Sequence, residues 1–138
     1  MYNKTSLQLL KALRHDEKKL IANLRETSQR YEKMKYKEKV TQSELRAKYA
    51  QKEYDKTAMH SEYLNYSENR DSDFESTHIS YLSSKAEYKK TRERYKSIRL
   101  KRKELQKQKE RIEKDLSRCR LKIKKLHYHY YRQLTIPK

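Results

Sequence analysis

Few side chains in this 138-residue sequence are of the types that do chemistry, and their spacing restricts them further. His127 and His129 stand two apart, which on a helix places them on different faces, and no third ligand lies nearby, so no metal site is expected. His15 beside Asp16 and Glu17 has the residue types of a proton relay, but three consecutive polar residues on a helix read as a surface cluster. Cys119 is the single cysteine, which excludes a disulfide framework and a Cys-based zinc site and suits a reducing compartment. The chain has no glycine. It therefore lacks the Gly-rich phosphate loop, the dinucleotide fingerprint, the nucleophile elbow and the EF-hand turn. With no catalytic constellation and no cofactor cradle, neither enzymatic activity nor a bound cofactor is expected.

What remains with chemical character is charge and aromatic rings. Lys and Arg number 37 against 19 Asp and Glu, and there are 13 tyrosines but one phenylalanine and no tryptophan. Leu, Ile, Val and Phe make up 23 of 138 residues, below the roughly 20% under which high net charge predicts disorder. Such a chain cannot fill a thick core. It is either disordered or a helical object whose core is one seam wide. Without glycine, tight hairpin turns lose their favoured residue, so a β-rich domain is not expected. No apolar run approaches the roughly 18 residues of a membrane span. Met1-Tyr2-Asn3-Lys4-Thr5 is followed by no signal-like apolar block, so a cytoplasmic location without membrane insertion is expected.

Periodicity decides for helix. From Tyr88 one register runs Tyr88, Tyr95, Arg102, Lys109, Leu116, Ile123 and Tyr130; the other runs Thr91, Ile98, Leu105, Ile112, Cys119, Leu126 and Gln133. Alternating steps of three and four with charges elsewhere are the coiled-coil template, and they predict that Cys119 is buried and inert. The first half carries a similar stripe: Leu10, Leu13, Leu20, Leu24, Tyr31, Met34 and Leu45, interrupted by Glu17, Thr27, Glu38 and Thr41. After Leu45 the apolar phase slips to Tyr49, Met59, Tyr63 and Tyr66, which predicts a stutter with local unwinding.

Ser72-x-x-Glu75 matches a capping box with Ser72 as N-cap, at the midpoint of the chain. The expected fold is all-α: one long two-helix antiparallel coiled-coil hairpin over 1–138, with helix 1 about 5–68, a turn about 69–72 and helix 2 about 73–134. Pairing residues whose numbers sum to about 140 sets Leu24 against Leu116, Leu45 against Tyr95, Met59 against Tyr81, Tyr66 against Phe74 and Leu10 against Tyr130, apolar on apolar. One continuous helix through Ser72 is the alternative. At 1.5 Å per residue each arm would span roughly 90–100 Å. Residues 1–4 and 135–138 should fray, and Pro137 should stop the second helix. Four charged seam residues, Glu17, Glu38, Arg102 and Lys109, imply that the hairpin gains stability from a partner.

Charge is graded along the chain. Residues 1–52 hold 14 basic and 6 acidic residues, residues 53–75 hold 2 and 7, and residues 89–138 hold 20 and 5. A balanced mixture would be a solvated helical surface with i,i+4 pairs contributing a few tenths of a kcal/mol. A net +15 over 50 residues does not balance, and predicts a polyanionic or acidic partner surface. The basic runs 99–103 and 122–125 resemble nuclear import signals, but any basic helix contains such runs. Tyr54, Tyr63, Tyr66, Phe74, Tyr81 and Tyr88 crowd the acidic region. Some of these rings fill the seam; a two-helix seam cannot cover all six, and clustered exposed aromatics are the residue type of binding hot spots.

In length, charge and hairpin pattern the chain resembles the FliJ/YscO-like stalk family of bacterial type III secretion and flagellar export. The likeness of sequence is clearest around the turn, in Glu62-Tyr63-Leu64-Asn65 and His78-Ile79-Ser80-Tyr81-Leu82. The chain departs from the family in its strong basicity and its lack of tryptophan. The resemblance implies a non-enzymatic central stalk at the cytoplasmic face of a membrane-embedded secretion apparatus. The end bearing both termini would enter a hexameric secretion ATPase and promote its assembly and turnover. The turn end would contact the cytoplasmic ring of the export gate, with secretion chaperones as further partners and no specific nucleic acid. On that basis Lys11, Arg14, Lys18, Arg118, Arg120, Lys122 and Lys125 would contact the ATPase, and Tyr54, Tyr63, Tyr81 and Tyr88 the gate. Two other classes stay open: a basic coiled coil binding nucleic-acid phosphates, and a generic or homodimeric coiled-coil scaffold.

Overall fold

A computed structural model describes residues 4–68 and 73–135 as two helices, α1 (Lys4–Ser67) and α2 (Phe74–Thr135), with no strand among them. The helices pack on each other as a hairpin, so the fold is all-α. Side chains are described for 5–68 and 73–129. The expected turn at 69–72, its Ser72 cap, the Pro137 stop and the seam side chains Tyr130 and Gln133 lie outside the described residues. So does the fraying expected at 1–3 and 136–138.

Where α2 begins, the first carbonyl taken into the helix is that of Asp73, which accepts the Thr77 amide at 3.0 Å. The Asp73 amide in turn donates to Glu62 Oε2 at 2.9 Å. A carboxylate from α1 thus satisfies a backbone donor at the positive end of α2, where negative charge is favoured.

The chain divides into two compact units: Met1–Glu32 with Lys103–Lys138, and Lys33–Arg102. The first holds the apolar core. Leu13, Cys119 and Ile123 are buried together, with Leu10, Leu20 and Leu126 packed on them. Cys119 is buried as expected, and its thiol donates to the Leu13 carbonyl at 3.2 Å. Glu17, an interruption in the apolar stripe, is half-buried in the seam and reaches Arg14 at 3.5 Å and Arg120 at 3.4 Å. Lys109 lies 5.4 Å from the Tyr31 ring centre, which gives that seam cation a π face.

The second unit is seamed by polar and aromatic residues. Thr41, Ser84 and Thr91 are buried, with the Ser84 and Thr91 hydroxyls donating to carbonyls one turn back. Glu38 and Arg102 form an ion pair across the seam, and Glu44 pairs with Arg94 beside it.

The stutter does not occur. On α1 the less exposed positions after Leu45 include Lys52, Asp55, Met59 and Glu62, which keep the heptad spacing, with Glu53, Ala58 and Asn65 beside them, while Tyr49, Tyr63 and Tyr66 are 49%, 52% and 65% exposed. The reason lies in the partner. On α2 the steps of three and four run unbroken from Phe74 to Leu126, so the face offered to α1 never shifts. Lys52 and Glu62 have stems that lie along the seam with their charges at its edge, and the Asp55 carboxylate accepts from Gln51 Nε2 at 3.1 Å. The tyrosines lean over the seam from outside it.

Contacts between the helices within each unit run antiparallel. Tyr31 with Lys109, Glu38 with Arg102, Lys52 with Tyr88 and Tyr66 with Phe74 have numbers summing to 140. Glu17 with Arg120, Tyr49 with Tyr88, Met59 with His78 and Tyr63 with Phe74 sum to 137. Long side chains make the first set, and the mean register lies slightly below the expected 140.

Candidate functional site

The first unit carries 19 basic and 8 acidic residues (residues 1–32 and 103–138), a net +11. All seven basic residues singled out above lie in it, and all are exposed. Lys11 and Lys18 are one heptad apart on α1, and Arg118 and Lys125 are one heptad apart on α2, so each pair shares a column. Arg14, Arg120 and Lys122 lie in three further columns. The charge encircles the helix pair and does not gather on one side.

Two of the seven are oriented from within. Arg14 and Arg120, from opposite helices, both point at Glu17, and Arg14 Nη2 stands 3.0 Å from His127 Nε2. A guanidinium can only donate, so Nε2 is the acceptor and a neutral His127 carries its proton on Nδ1. Arg118 and Lys122 instead line an open groove of about 500 Å³ with Asp16, Lys19 and Asp115. Carboxylates stand among the lysines there, so the groove is mixed in charge.

The four tyrosines lie in the second unit but do not form one patch. Tyr54 is 70% exposed on the face of α1 away from the seam. Tyr63 is 52% exposed and tilts against Phe74 with ring centres 5.6 Å apart. Tyr81 and Tyr88 are half-buried seam residues. Tyr88 is held by Tyr49, with centres 5.7 Å apart, and by Lys52 at 4.6 Å.

A tighter assembly surrounds Phe74. Its ring stacks on Tyr66 (6.2 Å) and His78 (5.6 Å), while Tyr63 tilts against it. His78 Nδ1 is 3.3 Å from Met59 Sδ. Tyr66, Phe74, Asp73 and Glu75 line an open pocket of about 390 Å³. Rings flanked by carboxylates suit a cationic or mixed cationic and apolar ligand. Phe74 and His78 were absent from the expected contact set. The signal was available, because Phe74 is the chain's one phenylalanine and sits among acidic residues.

Among the described residues no group of three or more His, Cys, Asp or Glu could hold a metal ion, and no helix is long and apolar enough to cross a membrane. No protein-family model, curated protein or solved structure matches the chain.

Proposed function

We propose that this chain is a non-enzymatic connector of the export-stalk kind, whose basic terminal unit enters a hexameric secretion ATPase and whose aromatic segment beside the turn, acidic over 53–75, meets the export gate. The observation that carries the reading is a chemical contrast along the chain: a first unit of net +11, and in the second the Phe74 ring cluster with Asp73 and Glu75 beside it, at the end of the acidic segment 53–75. A helix pair that enters a six-fold ring cannot match its symmetry. Exchangeable charge contacts on all sides suit that task better than a fixed apolar plug, and the spread of Lys11, Arg14, Lys18, Arg118, Arg120, Lys122 and Lys125 over five columns supplies them. Tyr54, Tyr63 and the Phe74 cluster are the surfaces for the gate, with Tyr81 and Tyr88 acting through the seam. The site of action is the cytoplasmic face of the secretion apparatus.

The test is co-purification with a secretion ATPase, scored for hexamer formation and ATP turnover. Stimulation by the wild-type chain, lost when Arg118, Arg120, Lys122 and Lys125 are all changed to Glu, is the expected result. No effect of the wild-type chain on assembly or turnover overturns it.

The net +11 of the first unit also favours a second reading, phosphate binding along a nucleic acid. That reading requires affinity to fall steeply and linearly in log salt. Saturable binding with that salt slope and a sequence preference would favour it over the stalk.

A further inference from the structure

We infer that the outer face of α1 between Tyr36 and Leu64 is a docking surface for a second copy of this chain, arranged antiparallel. The inference does not rest on the stalk reading. Steps of four and three from Tyr36 to Leu64 define a second heptad stripe, on the face away from the seam, and none of its nine residues is charged. In a chain that is 41% charged, this run gives the outer face of α1 one continuous uncharged stripe. All nine residues are exposed. Four supply apolar surface: Tyr36 is 69% exposed, Val40 40%, Tyr54 70% and Leu64 61%. The other five are Ala, Ser or Thr. The Thr57 hydroxyl already donates to the Glu53 carbonyl at 3.0 Å, so covering it strands no donor.

From Tyr36 to Ser61 the stripe is complementary to its own reverse. Antiparallel pairing about a two-fold axis, with numbers summing to 97, sets Tyr54 against Ser43, Tyr36 against Ser61, Val40 against Thr57 and Ala47 against Ala50. Large meets small in the outer layers, and two alanines meet at the centre, where the backbones come closest. The flanking positions then bring Arg46 opposite Glu53 of the second copy, twice by symmetry. An isologous contact of this kind closes on itself as a dimer and does not propagate.

The area predicts a weak dimer. Four tyrosine rings, at about 150–250 Å² each when fully buried and about two-thirds of that still exposed, contribute roughly 400–700 Å². Val40, Thr57 and the flanking stems raise the total toward about 1,000 Å², the lower bound of a specific interface. The dimer covers Tyr54, so a partner that docks at Tyr54 must compete with it.

Sedimentation of the full chain alone, from about 5 to about 500 µM, tests the inference. A reversible monomer–dimer equilibrium is expected. Ala50→Glu and Arg46→Glu should each weaken it at least about tenfold with helicity by circular dichroism unchanged, and R46E/E53R should recover most of the loss. Tyr54→Ser, a second exposed position in the stripe, replaces either single variant if that variant loses helix. A monomer at every concentration overturns the inference, as does a dimer indifferent to Ala50→Glu. Failure of the double variant to recover, with helicity intact, overturns the pairing.

Discussion

The ammonium of Lys52 stands 4.6 Å from the centre of the Tyr88 ring, and the Tyr49 ring lies 4.8 Å from the same nitrogen. The Lys52 side chain is only 19% exposed, and Glu53 lies 3.6 Å from its nitrogen. A lysine at a seam position thus sits between two π faces and a carboxylate. A cation–π contact contributes about 0.5–1 kcal/mol in the open and about 2 when desolvated.

A double-mutant cycle isolates that contact. Lys52→Met keeps the stem, and Tyr88→Leu keeps the apolar volume without the ring quadrupole. Denaturant unfolding of the two single variants and the double variant should give a coupling of about 0.5–1.5 kcal/mol. Lys52→Glu, which turns a carboxylate toward two ring faces and Glu53, should destabilise by about 2 kcal/mol. Additive single variants would mean that Lys52 is simply a solvated side chain.

The Glu38–Arg102 pair makes a sharper prediction, because its side chains are 16% and 19% exposed. Removing one partner leaves a charge in a poorly solvated seam. Arg102→Ala or Glu38→Ala should each cost about 3 kcal/mol, whereas the double change to leucine should be neutral or stabilising by about 1–4 kcal/mol. Thermal melts of the three variants decide it, and single variants within 0.5 kcal/mol of wild type, on the order of experimental scatter, would contradict the burial argument. The pair belongs to this register alone, since a slip of one heptad would set Arg102 opposite another residue. Loss of pairing specificity in the leucine double variant, seen as heterogeneous association, would mark its role in register.

From Tyr88 onward the α2 register was legible, because its apolar spacing is regular and its charged seam residues, Arg102 and Lys109, interrupt it singly; before Tyr88 the seam positions Thr77 and Ser84 carry no apolar signal. In α1 beyond Leu45 the visible pattern misled. Tyr49, Tyr63 and Tyr66 outweigh Lys52, Asp55 and Glu62 in hydrophobicity, so the stripe read from one helix alone slips, while the partner's face holds the phase. A property of two packed helices cannot be read from one of them. The candidate contact residues were partly legible for a similar reason: exposure follows from charge for Arg118 or Lys125, but an amphipathic tyrosine is at home in either place. Tyr54 points outward, Tyr88 is in the seam, and nothing in residue type separates them.

Cys119 offers a direct probe of the first unit. Its side chain is buried between Leu13 and Ile123 and its thiol donates to a backbone carbonyl. Thiol reagents should label it at least about tenfold more slowly in the native chain than in denaturant, since each tenfold reflects about 1.4 kcal/mol of opening. Leu13→Ala removes part of its cover and should cost about 2–3 kcal/mol while accelerating labelling. Equal labelling rates in native and denatured chain would mean that this core is open in solution.

The division of roles between the units predicts separable defects. Charge reversal at Arg118, Arg120, Lys122 and Lys125 removes eight units of charge difference from a unit whose net is +11, and should abolish ATPase stimulation without affecting binding to an export-gate fragment. Each reversed residue is exposed and none belongs to the buried cluster, so helicity should hold, while Arg120→Glu also removes one of the two cations on Glu17. The reciprocal change, Tyr63→Ser with Phe74→Ser, dismantles the ring cluster and should weaken gate binding by at least about tenfold, the effect expected when aromatic anchors are truncated. Stimulation of the ATPase should persist, because both rings belong to the other unit. Parallel loss of both activities in either variant would mean that the units act as one surface. Stimulation surviving charge reversal would remove the ATPase from the basic ring altogether.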